Sequence, residues 1–203
     1  MCGEQSTSPV LTRAQEARRQ RVLDAAIELG AEGGYDGVQM RGVAARARVA
    51  LGTVYRYFSS KDKLLAAAMV CWVEQLDARL AQVPARGSTS SQRVLDVLER
   101  AMRVMAGQPE LVAAGFSALT STDPDAVSCQ QQLAALIDGI IASGIGDPEL
   151  PDRVERTKVI GHVWYSLLVG WASGRSDLTR IREELIVALD LLLPGDLRAT
   201  SRG

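Results

Sequence analysis

Residues 39–63 read QMRGVAARARVALGTVYRYFSSKDK, a stretch in which cations, hydroxyls and aromatics are interleaved with a short apolar stripe. Arg41, Arg46, Arg48, Arg56, Lys61 and Lys63 stand against a single acid, Asp62, and Thr53, Tyr55 and Tyr57 add hydroxyls among them. Together such groups hold nucleic acid. Cations neutralise phosphates, and hydroxyls and helix N-termini donate hydrogen bonds to them. The apolar positions show how these groups are presented. Val43, Ala44 and Ala47 fall on one face of a first short helix. Val54 and Phe58 fall at i and i+4 on a second, with Val49 in the turn between. Two small helices with a basic outer face have the form of a helix-turn-helix, which enters the major groove of DNA.

The rest of the chain must support that motif. Its 203 residues allow one or two domains with a sizeable core. A composition 47% apolar, 4% aromatic and rich in Ala, Leu and Val predicts an all-helical protein. The net charge is −1, but residues 1–63 hold ten Lys/Arg against seven Asp/Glu while the remainder holds thirteen against seventeen. Positive charge therefore gathers at the motif, and an acidic second domain would avoid DNA. Cys2, Cys71 and Cys129 share no metal or redox spacing and read as reduced thiols of a cytoplasmic protein. No signal peptide and no membrane-spanning apolar run is present, so no membrane partner is expected. GxSxG, Gly-Lys phosphate loops, HExxH and CxxC are all missing, so neither an enzyme, a metal site nor a cofactor is expected.

The periodicity divides the chain into a disordered tail (1–11), a DNA-binding domain (12–78), a second domain (79–195) and a loose C-terminal tail (196–203). Thr12 and Gln15 form a capping box for the first helix, whose stripe of Val22, Leu23, Ala26, Ile27 and Leu29 ends at Gly30, Gly33 and Gly34. Arg18, Arg19 and Arg21 of that helix either reach the phosphate backbone or form a solvated face. Ser59 is the candidate cap of a long helix over 61–83, and Pro84 with 86–91 forms a linker. Five further helices follow, over about 92–106, from Pro109, over about 124–143, 152–172 and 178–193.

The run GGYDGVQMRGVAARARVALGTVYRYFSSKDKLL resembles the DNA-binding domain of TetR-family transcriptional regulators. The resemblance rests on Gly34-Tyr35, on Gly52-Thr53-Val54-Tyr55-Arg56-Tyr57-Phe58 and on Ser60-Lys61-Asp62-Lys63-Leu64, and covers roughly residues 15–75. It implies DNA contacts from Gln39, Arg41, Thr53, Tyr55, Tyr57 and Lys61, with Gly52 allowing close approach. Two positions depart from the family pattern. Arg48 stands where many relatives have Gly, and would carry a left-handed backbone at a steric cost. Ala50 stands where a Ser cap is common, a loss of about 1 kcal/mol. Leu51 either touches a thymine methyl or packs on the neighbouring turn.

The last two helices are apolar over too much of their circumference for an isolated monomer. Ile160, Val163, Leu167, Trp171, Ile181, Leu185, Leu189 and Leu192 are the candidate interface of a homodimer. As in TetR relatives, the two helices would pair with their symmetry mates and set two recognition helices about 34–36 Å apart, or a multiple of it, on a palindromic operator. The resemblance also implies a pocket for a small hydrophobic effector. Met102, Met105, Phe116, Leu119, Trp164, Tyr165 and Leu168 are its candidate lining, with ordinary core filling the alternative for each. Gly115 and Gly139 inside helices would leave room for something. His162, the single histidine, reads as partly exposed or hydrogen-bonded rather than as a metal ligand, and Cys129 with Gln132 as pocket polar groups or solvent-facing. Within the family the N-terminal segment is similar to repressors of cholesterol and steroid catabolism, which implies a sterol-derived acyl-CoA effector; Arg100 and Arg103 are the candidate cations for its phosphates. The expected mechanism is a population shift carried by the helix over 61–83. An enzyme with an appended DNA-binding domain, or a DNA-binding protein without an effector, are the competing readings.

Overall fold

Thr12 opens the first helix by the expected reciprocal cap: its hydroxyl accepts from the Gln15 N–H at 3.3 Å, and the Gln15 side chain accepts from the Thr12 N–H at 2.7 Å. In the computed structural model, which describes residues 12–120, 126–194 and 197, nine helices follow among the described residues. They are α1 (Arg13–Gly37), α2 (Met40–Arg46), α3 (Leu51–Tyr57), α4 (Lys61–Leu80), α5 (Ser90–Ala106), α6 (Pro109–Leu119), α7 (Val127–Ile145), α8 (Arg153–Ala172) and α9 (Leu178–Leu192). The described chain is all-α. The readings of 1–11, of the start of the third C-terminal helix at Pro124 and of all but Leu197 in 196–203 lie outside the described residues.

The glycines of α1 kink it rather than end it. Gly34 takes φ 59 and ψ −153, a conformation open to glycine, after which helical bonding resumes as far as Gly37. The α2–α3 turn contains the predicted strain, with Arg48 at φ 54, and Ala50 caps α3 without any side-chain bond. Arg48→Gly is expected to stabilise the protein by about 1 kcal/mol by removing the Cβ penalty, measurable as a higher midpoint in thermal melting. The cap of α4 is Ser60, not Ser59: Ser60 is extended and its hydroxyl accepts from the Lys63 N–H at 3.0 Å, whereas Ser59 lies one residue too far from the first turn. α4 ends at Leu80, short of residue 83.

From Leu64 to Val73 every residue of α4 is buried, because α1, α6 and α7 surround it. α6 lies between α1 and α4 in tight contact with both. A Cβ on Gly30 would come within 2.9 Å of Leu111 Cδ1, and one on Gly115 within 2.7 Å of Met69 Sδ. The space expected at Gly115 is thus filled by Met69. α5 and α7 cross at Gly144, where a Cβ would meet the Val94 Cα at 3.0 Å. Beside the crossing, the Arg93 guanidinium donates to the carbonyls of Gly144 (3.1 Å) and Ile145 (2.6 Å), two acceptors at the end of α7 that lack helical partners. The connection from α4 to α5 is strapped to α5. Arg100 donates to the Val83 carbonyl at 3.0 Å, and Asp96 accepts from the Arg86 N–H at 3.1 Å. The apolar core is continuous through both halves of the chain.

Candidate nucleic-acid interface and ligand cavity

Val43 and Ala44 of α2 and Val54 of α3 are buried, as their spacing predicts, and this fixes which residues face outward. Gln39, Arg41, Gly52 and Tyr55 are exposed, Tyr55 to 51%. Nothing lies within 4 Å of a Cβ built on Gly52, so the protein's own packing does not require glycine there. Thr53 is half-buried. Tyr57 is also half-buried, and its hydroxyl donates to the Gln15 carbonyl at 3.1 Å, which ties α3 to the first turn of α1. Lys61 sits with its ammonium 3.8 Å from the centroid of the Tyr35 ring. The Tyr35 hydroxyl donates to Asp62 at 2.5 Å, and the carboxylate beside it, with burial, pushes the phenol up to about 12.

Two of the basic residues have structural partners that the sequence pattern did not show. Arg46 forms ion pairs with Glu28 and Glu32, both at 3.0 Å, which fasten α2 to α1. The Glu32 carboxyl is held below its usual range by the hydrogen bonds from Arg46. Arg21 of α1 donates to the Ala47 carbonyl at 3.4 Å and so supports the helix-turn-helix turn from behind.

A cavity of about 500 Å³ opens between the end of α6, α7 and α8. Leu119, Leu133, Ala134, Ile137, Gly161 and Tyr165 give it apolar walls, while Thr120, Gln130, Asp138, Lys158 and His162 supply polar groups. Burial pushes the Tyr165 phenol up. The Gln130 amide donates to the Leu119 carbonyl, joining the end of α6 to α7. Of the residues expected to line a pocket, Leu119 and Tyr165 line this one. Met105, Phe116, Trp164 and Leu168 surround a much smaller apolar space that shares Leu133 and Ile137 with it. Phe116 packs edge-on against Tyr165 with ring centroids 5.4 Å apart. Met102 is buried in the core and lines neither space. His162 is exposed and, with Lys158 one turn before it on α8, stands in the cavity wall. Arg100 and Arg103 are not in that wall; Arg100 is engaged with the linker and Arg103 is exposed. Cys129 and Gln132 line a different cleft. The i, i+4 spacing of Lys158 and His162 was the readable signal for the rim.

On α8 and α9, Ile160, Ile181, Leu185 and Leu189 are buried inside the protomer, where the two helices pack on each other and on the core. Their side chains are therefore not surface open to a second copy. Val163, Leu167, Trp171 and Leu192 are half-buried, and Val159, Leu178, Val187 and Leu191 are exposed, the last to 77%. Among the described residues no group of three His, Cys, Asp or Glu could hold a metal ion, and no helix is long and apolar enough to cross a membrane.

Two family models match the chain: "Bacterial regulatory proteins, tetR family" over residues 22–68 and "Tetracyclin repressor-like, C-terminal domain" over residues 87–192. The HTH-type transcriptional repressor KstR of Rhodococcus jostii is 38% identical over 183 residues, which covers 90% of this chain and 85% of that protein. A crystal structure of a TetR transcriptional regulator from Rhodococcus sp. RHA1 superposes with a TM-score of 0.79 at 29% identity, covering 90% of this chain and 99% of that one. The fold is also that of a TetR family repressor, FadR of Thermus thermophilus, in complex with lauroyl-CoA (TM-score 0.65, 21% identity, 86% and 92% covered). A helix-turn-helix with an exposed recognition surface, a family model on each half and a close repressor relative along nearly the whole chain lead to one assignment: the chain belongs to the TetR family of DNA-binding transcriptional regulators.

Proposed function

We propose that this protein is a dimeric repressor that holds a palindromic operator and releases it when an apolar acyl ligand, a sterol-derived acyl-CoA or a similar lipid-like metabolite, enters the cavity between α6, α7 and α8. One observation carries the reading. α6 contributes the cavity wall at its C-terminal end and packs against α1 of the DNA-binding half with its N-terminal turns. A volume of about 500 Å³ falls in the usual range for ligand pockets and suits a fused-ring or long acyl body. Lys158 and His162 stand at the rim, where a carrier's phosphates would emerge. The likeness to a KstR repressor and to a FadR structure with an acyl-CoA supports this class of effector.

The mechanism is a shift between two arrangements of the dimer, one with its recognition helices spaced for DNA. A ligand that binds both equally would change nothing. The route to the DNA-binding half runs through α6 as well as α4, since α6 is wedged between α1 and α4. Tyr55, Arg41 and Gln39 contact the operator, and Gly52 permits the approach.

The test begins with selection of bound sequences from random DNA, followed by titration of the selected operator with cholesterol-derived acyl-CoAs. A palindromic consensus and ligand-dependent release are expected. Failure of every such ligand to weaken binding would remove the sterol assignment. Two sets of variants probe the contact face. Arg41→Ala should cost about 1–3 kcal/mol of operator affinity, and Tyr55→Phe about 1 kcal/mol, with dimerisation unchanged. Gly52→Ala should leave the melting midpoint unchanged or slightly higher, because Gly52 is the second residue of α3 and a Cβ there meets nothing within 4 Å, yet lower operator affinity because its new methyl stands where DNA approaches. Gains in both stability and affinity would place the DNA elsewhere.

A further inference from the structure

A second cleft, of about 300 Å³, lies on the opposite side of α7 from the ligand cavity. Its walls come from α1, the end of α3 and α4 on the DNA-binding side, and from α7 alone on the other. Two thiols line it: Cys71 on α4 and Cys129 on α7, one from each half of the protein and neither in a disulfide. They are 8% and 7% exposed in all, and both line the cleft. The Cys71 sulfur lies 3.2 Å from the side-chain amide nitrogen of Gln20, which links α1 to α4 across the cleft wall. The Arg19 guanidinium, 3.5 Å from the Glu16 carboxylate, and the Gln132 side-chain amide also line the cleft, together with Glu16 and Glu74, and the remaining N–H groups of Arg19 and Gln132 can donate hydrogen bonds to a carbonyl oxygen held there. None of these groups lines the ligand cavity, and none is among Gln39, Arg41, Gly52 and Tyr55, the operator face proposed above.

We propose that this cleft is a covalent regulatory site for small α,β-unsaturated carbonyl compounds, with Cys71 and Cys129 as the nucleophiles. The step is a conjugate addition. The sulfur bonds to the β carbon, and the electron pair of the C=C bond passes into an enolate whose developing oxygen charge Arg19 and Gln132 can stabilise. The enolate takes up at its α carbon a proton equivalent to the one the thiol gave up. No oxidant or reductant is consumed. The adduct occupies the cleft, displaces the Gln20 contact and separates α7 from α4 and α1. α7 forms walls of both spaces, with Gln130, Leu133 and Ala134 on the ligand cavity and Ser128, Cys129 and Gln132 on the cleft. An adduct therefore acts on the same helix as the effector, from its other side, and weakens operator binding without occupying the effector cavity.

The experiment uses the full chain with Cys2→Ser as parent, so that the N-terminal thiol does not react, and N-ethylmaleimide and methyl vinyl ketone as probes. Intact-protein mass and peptide mapping give the adducts, thermal melting reports that the treated protein is folded, and fluorescence anisotropy gives the affinity for DNA selected by the untreated protein. Expected are adducts at Cys71 and Cys129, a retained melting transition and an operator Kd raised about tenfold or more. The same parent carrying Cys71→Ser and Cys129→Ser should keep its affinity under identical treatment. The proposal is overturned by any of three results: no adduct at either thiol of the folded protein, adducts with unchanged affinity, or affinity lost only together with the melting transition.

Discussion

Leu167→Asp together with Leu191→Asp is expected to give a folded monomer whose operator affinity is lower by about a hundredfold or more, the scale on which two linked binding modules exceed one. Leu191 is 77% exposed, and Leu167 is half-buried at the edge of the core, so the two substitutions remove little of the protomer's own packing. Both would be buried by a second copy packed on α8 and α9. Two carboxylates from each protomer, four across a two-fold interface, would then be desolvated without partners, a cost no packing gain offsets. Loss of the dimer leaves each recognition helix to bind its half-site alone. Sedimentation gives the mass and anisotropy the affinity. A dimer that survives both changes would place the interface on another face, and a stable wild-type monomer at micromolar concentration would remove the dimer from the proposed function.

Gly144→Val should destabilise the fold by about 3 kcal/mol, at the upper end of overpacking costs, and lower the melting midpoint by about 10 °C for a chain of this size. The neighbours of the new side chain are the Val94 Cα at 3.0 Å and the Val94 nitrogen at 3.3 Å, and backbone cannot rotate aside as a methionine tip can. α5 and α7 must move apart, which strains the bonds from Arg93 to the carbonyls of Gly144 and Ile145. Gly139 on the exposed side of α7 provides the contrast. A Cβ there meets nothing within 4 Å, so Gly139→Ala should add stability of about 1 kcal/mol through helix propensity. Equal effects at the two sites would mean that the α5–α7 crossing is looser than the geometry states.

Local features of this fold were readable because their causes are local. The Thr12–Gln15 cap and Pro109 as the first residue of α6 each follow from a few adjacent residues, whereas the left-handed Arg48 and the uncapped Ala50 were legible only against the family pattern. The apolar spacing of the C-terminal helices likewise gave five helices. It could not say which of two inward directions meets another helix and which meets open space. Ile160 and Leu185 have the same apolar signature whether they pack inside a protomer or between protomers, and here they pack inside. Trp164 and Leu168 lie on the core side of α8, while Lys158 and His162 on its next face border the cavity. Arg46 shows the same limit for charge. Its position in a basic run suggested phosphate, but Glu28 and Glu32, more than a dozen residues earlier, hold it. Partners brought together by a helix crossing leave no mark on the spacing within one helix.

The packing of α6 bears on how this protein can be recombined. α1 packs more extensively on α6, far along the chain, than on either helix of its own motif. A cut in the connection after α4 would therefore remove the surface against which α1 rests and expose Gly30 and the apolar groups around it. Chimeras that graft this reading head onto a foreign sensor should fold poorly when joined after α4. They should fold well when the exchange carries α6 along, or when residues 111 and 115 of the host are matched to Gly30 and Met69. For this fold the unit of exchange is set by contact in space rather than by the linker in the sequence.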